Sequence, residues 1–253
     1  MNYRHVKILE LVNVSGRIEV AALSEKLDVS QVTIRKDLAL LEGKGLIKRE
    51  HGFAVMVNSD DISNRLALNN EVKHNIATLA AKLVVNGETV MIESGSCCAL
   101  LAEELANNKR DITIITNSAF IASYIRKCPD VKIVLLGGDY QKESQVVVGP
   151  LTRKCVEDFY VDKLFVGTDG FTEKTGFSGK NHMRTEIVRA MAENANKVIV
   201  LTESKKFSRQ GVVAQFKTNE VNTLVTDNKI PEQVKNILLE NNVDVQIVCM
   251  EGK

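Results

Sequence analysis

The chain has 253 residues, of which 44% are hydrophobic and 26% are charged, and its formal net charge is +1. This length is ample for two domains with sizeable cores, and the composition is that of a soluble globular protein. The near-zero charge excludes a protein that coats nucleic acid without regard to sequence, because such binding depends on many phosphate contacts from an excess of Lys and Arg.

Three helices are predicted before the first glycine-rich break in the sequence. The first two span Tyr3–Val14, with His5 expected on its surface, and Val20–Leu27. The third lies within Val29–Gly43, where the apolar side chains recur at the spacing of one helical face. Those side chains are Ile34, Leu38 and Leu41.

The second and third helices form a predicted helix-turn-helix, because only Asp28-Val29-Ser30 separates them. Ser30 is the expected N-cap, since its hydroxyl can accept a hydrogen bond from an amide of the first turn. In such a motif the second helix of the pair enters the major groove of DNA. The side chains expected to touch bases and phosphates are Ser30, Gln31, Thr33, Arg35 and Lys36.

A basic β-hairpin is predicted directly after the third helix, at residues 46–55, with Gly52 in the turn. A hairpin in this place is a wing that reaches the phosphate backbone, and Arg49 and His51 are the expected contacts. An ordinary amphipathic helix with a solvated charged face is the alternative. It does not account for the tight turn and the basic hairpin together. Residues 1–57 are therefore assigned to a winged helix-turn-helix domain.

An α/β domain with a mostly parallel sheet is predicted at residues 71–253, after a linker at 58–70. Short buried strands alternate there with helices, which is typical of a parallel sheet covered on both faces. The expected strands are Thr89–Glu93, Asp111–Thr116, Val131–Leu136, Lys163–Gly167, Lys197–Leu201, Thr223–Thr226 and Val243–Val248.

Small hydroxyl residues and glycines follow most of these strands. Ligands of parallel α/β sheets bind beyond the carboxyl ends of the strands, and amides at a helix start favour an anion. Ser94-Gly95-Ser96 precedes a predicted helix and is a candidate phosphate cradle, although such loops also occur as plain turns. The residues expected to bind a small polyhydroxylated anion are Ser94, Gly95, Ser96, Asn117, Ser118, Gly137, Gly138, Asp169, Glu203 and Lys205.

The segment 176–182 is polar and bounded by glycines, and it is predicted to be a mobile loop from which Lys180 or Arg184 closes on a phosphate. No cofactor or metal is predicted. The spacings of a nucleotide-binding loop are missing, and the four histidines and five cysteines form no ligand set. The sequence carries neither a signal peptide nor a spanning apolar run, so a cytoplasmic protein without a membrane partner is expected.

The sequence resembles the DeoR-type bacterial sugar-operon repressors. The resemblance rests on TIRKDL at 33–38 and REHG at 49–52, then on LGG at 136–138, DKLFVGTDG at 162–170 and SKKF at 204–207. It implies a winged helix-turn-helix fused to a ribose-5-phosphate isomerase-like sensor domain. It also implies a double-stranded DNA operator as partner and a phosphorylated sugar or polyol as the effector that relieves repression.

Two positions depart from the family pattern. The wing has Gly52-Phe53 where two glycines are usual, and the first phosphate loop contains Ser94-Gly95-Ser96-Cys97 where the family more often shows Asp-x-Gly-Thr-Thr. The segment 176–184 resembles members that serve sugar-alcohol operons such as galactitol.

Three functions remain open at this point: a repressor, an activator with the same parts, and a sugar-phosphate isomerase-like enzyme. Asp169, Glu203 and Lys205 could supply acid–base chemistry, but an enzyme has no use for a winged helix in front. A homodimer or homotetramer is expected, because paired heads match a two-fold operator.

Overall fold

The computed structural model describes residues 3–43, 45–56 and 60–248. The chain divides into two compact units, Met1–Asn70 and Glu71–Lys253, which we call the head and the body. The boundary predicted after residue 57 lies outside the described residues. Among those described, no helix combines the length and the apolar sequence that a membrane crossing needs.

The head carries its helices around a small antiparallel sheet with the strand order β1-β3-β2. Strands β2 and β3 form the predicted wing, and β1 is an additional strand that the sequence analysis did not predict. The elements are α1 Tyr3–Ser15, β1 Arg17–Glu19, α2 Val20–Leu27, α3 Gln31–Gly43, β2 Ile47–Glu50, β3 Phe53–Met56 and α4 Ile62–Ala67.

The helix-turn-helix is confirmed in its local detail. Helix α2 ends at Asp28, whose φ of +51° is left-handed, and the chain then turns into α3 within two residues. The amide of Thr33 donates to Ser30 Oγ at 3.2 Å, so Ser30 is the N-cap of α3. At the wing tip, His51 and Gly52 both have positive φ, as in a two-residue hairpin turn that matches the twist of its strands.

Residues 60–70, which belong to the predicted linker, contain helix α4. Asp61 Oδ1 accepts hydrogen bonds from the amides of Ser63 at 2.8 Å and Asn64 at 3.3 Å and thereby caps this helix. Ala67 and Leu68 belong to the hydrophobic core of the head. The head therefore continues past its wing, because these apolar side chains complete its core.

Within residues 60–248, the body is built on a seven-stranded sheet in which every strand pair is parallel. Its strands alternate with helices, as predicted. The strands of the body are β4 Thr89–Ile92, β5 Ile112–Thr116, β6 Val131–Leu135, β7 Asp139–Gln141, β8 Val146–Val148, β9 Val161–Val166, β10 Gly170–Thr172, β11 Gly176–Gly179, β12 Ala195–Leu201, β13 Val213–Phe216, β14 Thr223–Asp227 and β15 Asp244–Val248. The helices are α5 Asn70–Ala81, α6 Ser96–Asn108, α7 Ala119–Ile125, α8 Pro150–Glu157, α9 His182–Glu193 and α10 Glu232–Glu240.

The chain builds the large sheet outward from its middle, and the strand order is β15-β14-β12-β9-β4-β5-β6. Successive strands after β4 are added on one side, and β9 and its successors are added on the other. Strands β4 and β9 therefore flank the switch point of the topology, where parallel α/β sheets bind their ligands. The predicted fold class, a winged helix-turn-helix followed by a mostly parallel α/β domain, is confirmed.

Two small antiparallel elements of the body lie outside the large sheet, namely the β7–β8 hairpin and a sheet of order β10-β11-β13. The prediction of a mobile loop at 176–182 was wrong, because β11 occupies Gly176–Gly179 and is buried along its length between β10 and β13. A four-residue strand with two glycines carries too little β-forming sequence to be predicted.

Candidate functional site

Helix α3 presents one polar face to solvent and buries the other. Ile34 and Leu38 are fully buried in the core of the head, whereas Gln31, Arg35 and Lys36 are exposed. Side chains four residues apart share a helix face, so Gln31 and Arg35 lie in one row and Val32 and Lys36 in the adjoining row. Val32 is 61% exposed, which gives this face an apolar contact beside its two cations.

Ser30 and Thr33, also predicted to contact DNA, lie at the start of the same helix. Their hydroxyl oxygens are 2.9 Å apart, and Thr33 is half-buried. Both side chains are therefore engaged in capping α3, and the exposed face is formed chiefly by the residues that follow.

Asp37 lies within the TIRKDL sequence but is buried rather than exposed. Its carboxylate accepts hydrogen bonds from Arg4 Nε at 2.5 Å and Arg4 Nη2 at 3.1 Å, and it lies 3.0 Å from His5 Nε2. The expected surface position of His5 was wrong, because a buried carboxylate needs partners and α1 supplies them. Burial raises the pKa of Asp37, but the hydrogen bonds from Arg4 and His5 outweigh burial and lower it below its ordinary value.

The cations of the wing are paired within the head. Arg49 donates from its backbone amide to Glu42 Oε1 at 2.9 Å and from Nε to Glu42 Oε2 at 2.6 Å, and these bonds lower the pKa of Glu42. Lys48 Nζ lies 2.9 Å from Glu50 Oε1. Arg49 thus ties the wing to the end of α3, while His51 is exposed at the tip.

Arg17 is a cation beside the wing that was not predicted. It lies on β1, and its guanidinium is 3.7 Å from the centre of the Phe53 ring on β3. Arg17 lies beside the hairpin only because strand β1 pairs with β3, and a strand of three residues is too short to be predicted from its sequence.

In the body, the strand ends at the switch point are in direct contact. Glu93 Oε2 accepts a hydrogen bond from the amide of Gly167 at 3.2 Å, and Glu93 Oε1 accepts one from Ser94 Oγ at 2.6 Å. A Cβ on Gly95 would lie 3.3 Å from the Cα of Gly167, which is closer than most such contacts in proteins, so this approach favours glycine. Helix α6 begins at Ser96, and its N-cap residue is Gly95, which has no side chain to bond the first amides. Such a helix start favours an anion.

A cluster of charges lies on the far side of β9, at the end of β12. Glu203 is buried, with Lys205 Nζ 2.9 Å from its Oε1 and Lys73 Nζ 3.8 Å from its Oε2. Lys73 lies on α5 and was not predicted, because its burial depends on a partner far along the chain. Asp227 fixes the same loop by accepting hydrogen bonds from the amide and the hydroxyl of Ser204, both at 2.7 Å. Lys205 is the more accessible of the two lysines.

Asp169 follows β9, as predicted, and is held by several contacts. Its Oδ2 accepts from the amide of Lys180 at 3.0 Å, and Lys206 Nζ lies 3.4 Å from its Oδ1.

Across residues 3–43, 45–56 and 60–248, no group of three His, Cys, Asp or Glu side chains is placed to hold a metal ion.

Asn117 and Ser118 follow β5 and are fully buried. Ser118 Oγ accepts from the amide of Ile121 at 3.2 Å and caps helix α7. Asn117 Nδ2 donates to the carbonyl of Val147 at 3.3 Å, while its Oδ1 has no hydrogen-bond donor among the described residues.

The two predicted glycines after β6 lie next to the end of β5 but far from the candidates at the end of β12. Four gaps between strands separate β6 from β12, which amounts to roughly 19 Å at about 4.8 Å a gap. One monosaccharide phosphate does not span that distance. The structure brings together the strand ends of β4, β9 and β12, and it leaves Gly137 and Gly138 at the edge of the sheet.

Gly138 also has a packing role, which its replacement tests. Its φ is +148°, and a Cβ would lie 1.8 Å from Thr152 Oγ1 and 2.7 Å from the carbonyl oxygen of Val148. We expect Gly138→Ala to lower the free energy of unfolding by about 1–2 kcal/mol. The control is Gly137→Ala, whose Cβ would meet only Cys155 Sγ at 3.8 Å. Urea denaturation compares the two, and equal stability of both variants would contradict this role.

Comparison with known protein families identifies both units. Residues 4–60 match the model of the DeoR-like helix-turn-helix domain, and residues 68–228 match that of the DeoR C terminal sensor domain. The chain belongs to the DeoR family. The resemblance seen in the sequence is therefore confirmed, and it covers both the head and most of the body.

Two relatives of this DeoR-family chain match it along most of its length. The HTH-type transcriptional regulator GolR of Listeria innocua serovar 6a is 34% identical, over 90% of this chain and 91% of its own. The putative aga operon transcriptional repressor of Escherichia coli O157:H7 is 29% identical, over 97% and 93%. These relatives are named as regulators, and the chain is a transcriptional regulator rather than an enzyme.

Among solved structures, ribose 5-phosphate isomerase A of Methanocaldococcus jannaschii matches with a TM-score of 0.41 and 22% identity, over 55% of each chain.

Proposed function

We propose that the protein binds an operator in double-stranded DNA and represses an operon for the catabolism of a sugar or sugar alcohol. The observation that carries this proposal is the exposed face of α3, where Gln31, Val32, Arg35 and Lys36 are free of the core while Asp37 anchors the opposite side. A rigid helix with such a face fits the major groove. The DNA contacts we propose are Ser30, Gln31, Thr33, Arg35, Lys36, Arg49 and His51.

We further propose that a phosphorylated sugar or polyol binds at the carboxyl ends of the body's strands and controls the head. The start of α6 at Ser96, which follows an N-cap glycine, and the partly exposed cation of Lys205 suit a phosphate. They lie at the ends of β4 and β12, on either side of β9. Ser94, Gly95 and Asp169 follow β4 and β9 at the same edge of the sheet, and Asn117 follows the next strand, β5.

A thermal-shift screen of sugar and polyol phosphates against the full chain tests this effector. A ligand that binds only the folded state at 100 times its Kd stabilises it by about 2.7 kcal/mol. We expect one member of the screen to raise the melting temperature in a saturable way, while the unphosphorylated sugar does not. A screen in which no phosphorylated member does so would contradict the effector class.

The direction of control follows from a reporter experiment. Deleting the gene should raise transcription of the operon that it controls if the protein represses, whereas a fall would identify an activator built from the same parts.

We propose a homodimer or homotetramer, since paired heads fit a two-fold operator. A monomeric mass from light scattering would contradict that assembly.

A further inference from the structure

Gln215 occupies a β-bulge in the small sheet of the body. Strands β11 and β13 pair Phe177 with Phe216 and then Ser178 with Ala214, so Gln215 is the extra residue between two paired positions. A bulge re-aims the side chain of the residue that it contains, and bulges are common beside functional sites. The backbone carbonyl of Gln215 is held in this position by Arg189 Nε at 3.1 Å.

The bulge directs the side chain of Gln215 to the switch point of the large sheet. Its Nε2 donates to the carbonyl oxygen of Gly167 at 3.0 Å, and the amide of the same Gly167 donates to Glu93 Oε2. Gln215 therefore contacts the end of β9 at the place where β9 meets the end of β4. Gln215 was not among the predicted site residues, because nothing in its local sequence indicates either the bulge or the contact with Gly167.

The side-chain oxygen of Gln215 is an unsatisfied hydrogen-bond acceptor within the part of the chain that the structure describes. Gln215 is 5% exposed, and its Oε1 has no hydrogen-bond donor among the residues that the structure describes. The bond from Nε2 to the carbonyl of Gly167 fixes which end of the amide is which, since a carbonyl accepts only from the nitrogen. A buried acceptor without a donor is rare in folded proteins and calls for a partner.

We propose that Gln215 Oε1 accepts a hydrogen bond from a hydroxyl group of the effector and so selects ligands that carry a hydroxyl at that position. This inference rests on the proposed function and deepens it. A phosphate is mostly ionised at neutral pH and offers acceptors, so it does not satisfy a carbonyl oxygen, whereas a sugar or polyol hydroxyl does. Gln215 therefore recognises the carbon skeleton, and the start of α6 and Lys205 serve the phosphate.

The test uses the full chain in three forms: wild type, Gln215→Met, and the control Gln246→Met. Gln246 lies on strand β15, where its Nε2 donates to Asp244 Oδ2 at 2.8 Å, away from the switch point. Calorimetric titration uses fructose 1-phosphate, fructose 6-phosphate, galactitol 1-phosphate, glucitol 6-phosphate and glycerol 3-phosphate. Inorganic phosphate serves as a competitor, and monodeoxy analogues of each compound that binds complete the panel.

We expect Gln215→Met to bind the parent compound at least about tenfold more weakly than wild type, because the methionine offers no acceptor. Competition by inorganic phosphate should be unchanged, and Gln246→Met should behave as wild type. One monodeoxy analogue should lose at least about tenfold in affinity for wild type, yet bind Gln215→Met as well as the parent compound does.

Wild-type affinity of Gln215→Met for the parent compound would overturn the inference and leave the proposed function intact. An equal loss for inorganic phosphate would also overturn it, because it would show a role in folding alone. If Gln215→Met does not fold, Gln215→Asn replaces it, and a wild-type deoxy series without a weakened member overturns the inference. If no compound binds wild type, the proposed effector class fails and the inference fails with it.

Discussion

Replacing Asp37 by alanine is expected to lower the free energy of unfolding of the head by about 2–4 kcal/mol. The loss arises because the guanidinium of Arg4 and the imidazole of His5 contact this buried carboxylate, and both would lose it as a hydrogen-bond partner. The neighbouring variant Lys36→Ala is the control, since Lys36 is exposed and its removal should change stability by less than about 0.5 kcal/mol. Chemical denaturation of the full chain, followed through the transition of the head, measures both. A head that tolerates Asp37→Ala as well as Lys36→Ala would contradict the anchoring role.

The carboxylate of Asp37 should also make the stability of the head fall in acid. The pKa of Asp37 is lowered in the folded head from an ordinary value of 3.8, so its stabilisation is complete above that value. It is lost as the pH falls through the lowered pKa. We expect the stability difference between wild type and Asp37→Asn to be constant near neutral pH and to shrink below about pH 4. A difference that persists unchanged in acid would show that the charge of Asp37 is not its cause.

Replacing Arg35 by alanine is expected to cost about 1–3 kcal/mol of operator affinity, which is about five- to 150-fold, if Arg35 makes a bidentate contact with a guanine. Arg35 is exposed on α3, so its replacement should not change stability. The loss should be confined to one base pair of the operator, at which the variant no longer distinguishes the bases. Fluorescence anisotropy with operator duplexes substituted at each position measures this.

Two controls distinguish base reading from general attraction to DNA. Lys36→Ala should weaken binding to all duplexes alike and reduce the salt dependence by about one phosphate contact. Arg110→Ala removes an exposed arginine of the body and should leave operator affinity as in wild type. If Arg35→Ala keeps both the affinity and the base preference of wild type, Arg35 does not read the operator.

Features set by neighbouring residues could be predicted from the sequence. Ser30 caps α3, and the turn between α2 and α3 has the predicted length, because both depend on residues within a few positions of each other. The parallel strands could also be placed, since most of them are short apolar runs closely followed by glycine or a hydroxyl residue.

Features that depend on distant partners could not be predicted. His5 resembles a solvated histidine until Asp37 is known to face it, and Lys73 resembles a surface lysine until Glu203 is placed beside it. Gln215 reaches Gly167 at the end of β9 only through a bulge against β11, which was itself predicted to be a loop. In each case the side chain is polar, and only the fold shows whether it faces water or the interior.

We propose that the head binds a particular DNA sequence and that a metabolite bound to the body controls this binding. The most direct test is the anisotropy of a labelled duplex from the promoter next to the gene, titrated with the full chain at moderate salt beside a scrambled duplex of equal length. We expect the promoter duplex to bind at least about a thousandfold more tightly than the scrambled one, and the phosphorylated effector to abolish that preference. Equal affinity for the two duplexes, with or without any sugar phosphate, would contradict the account.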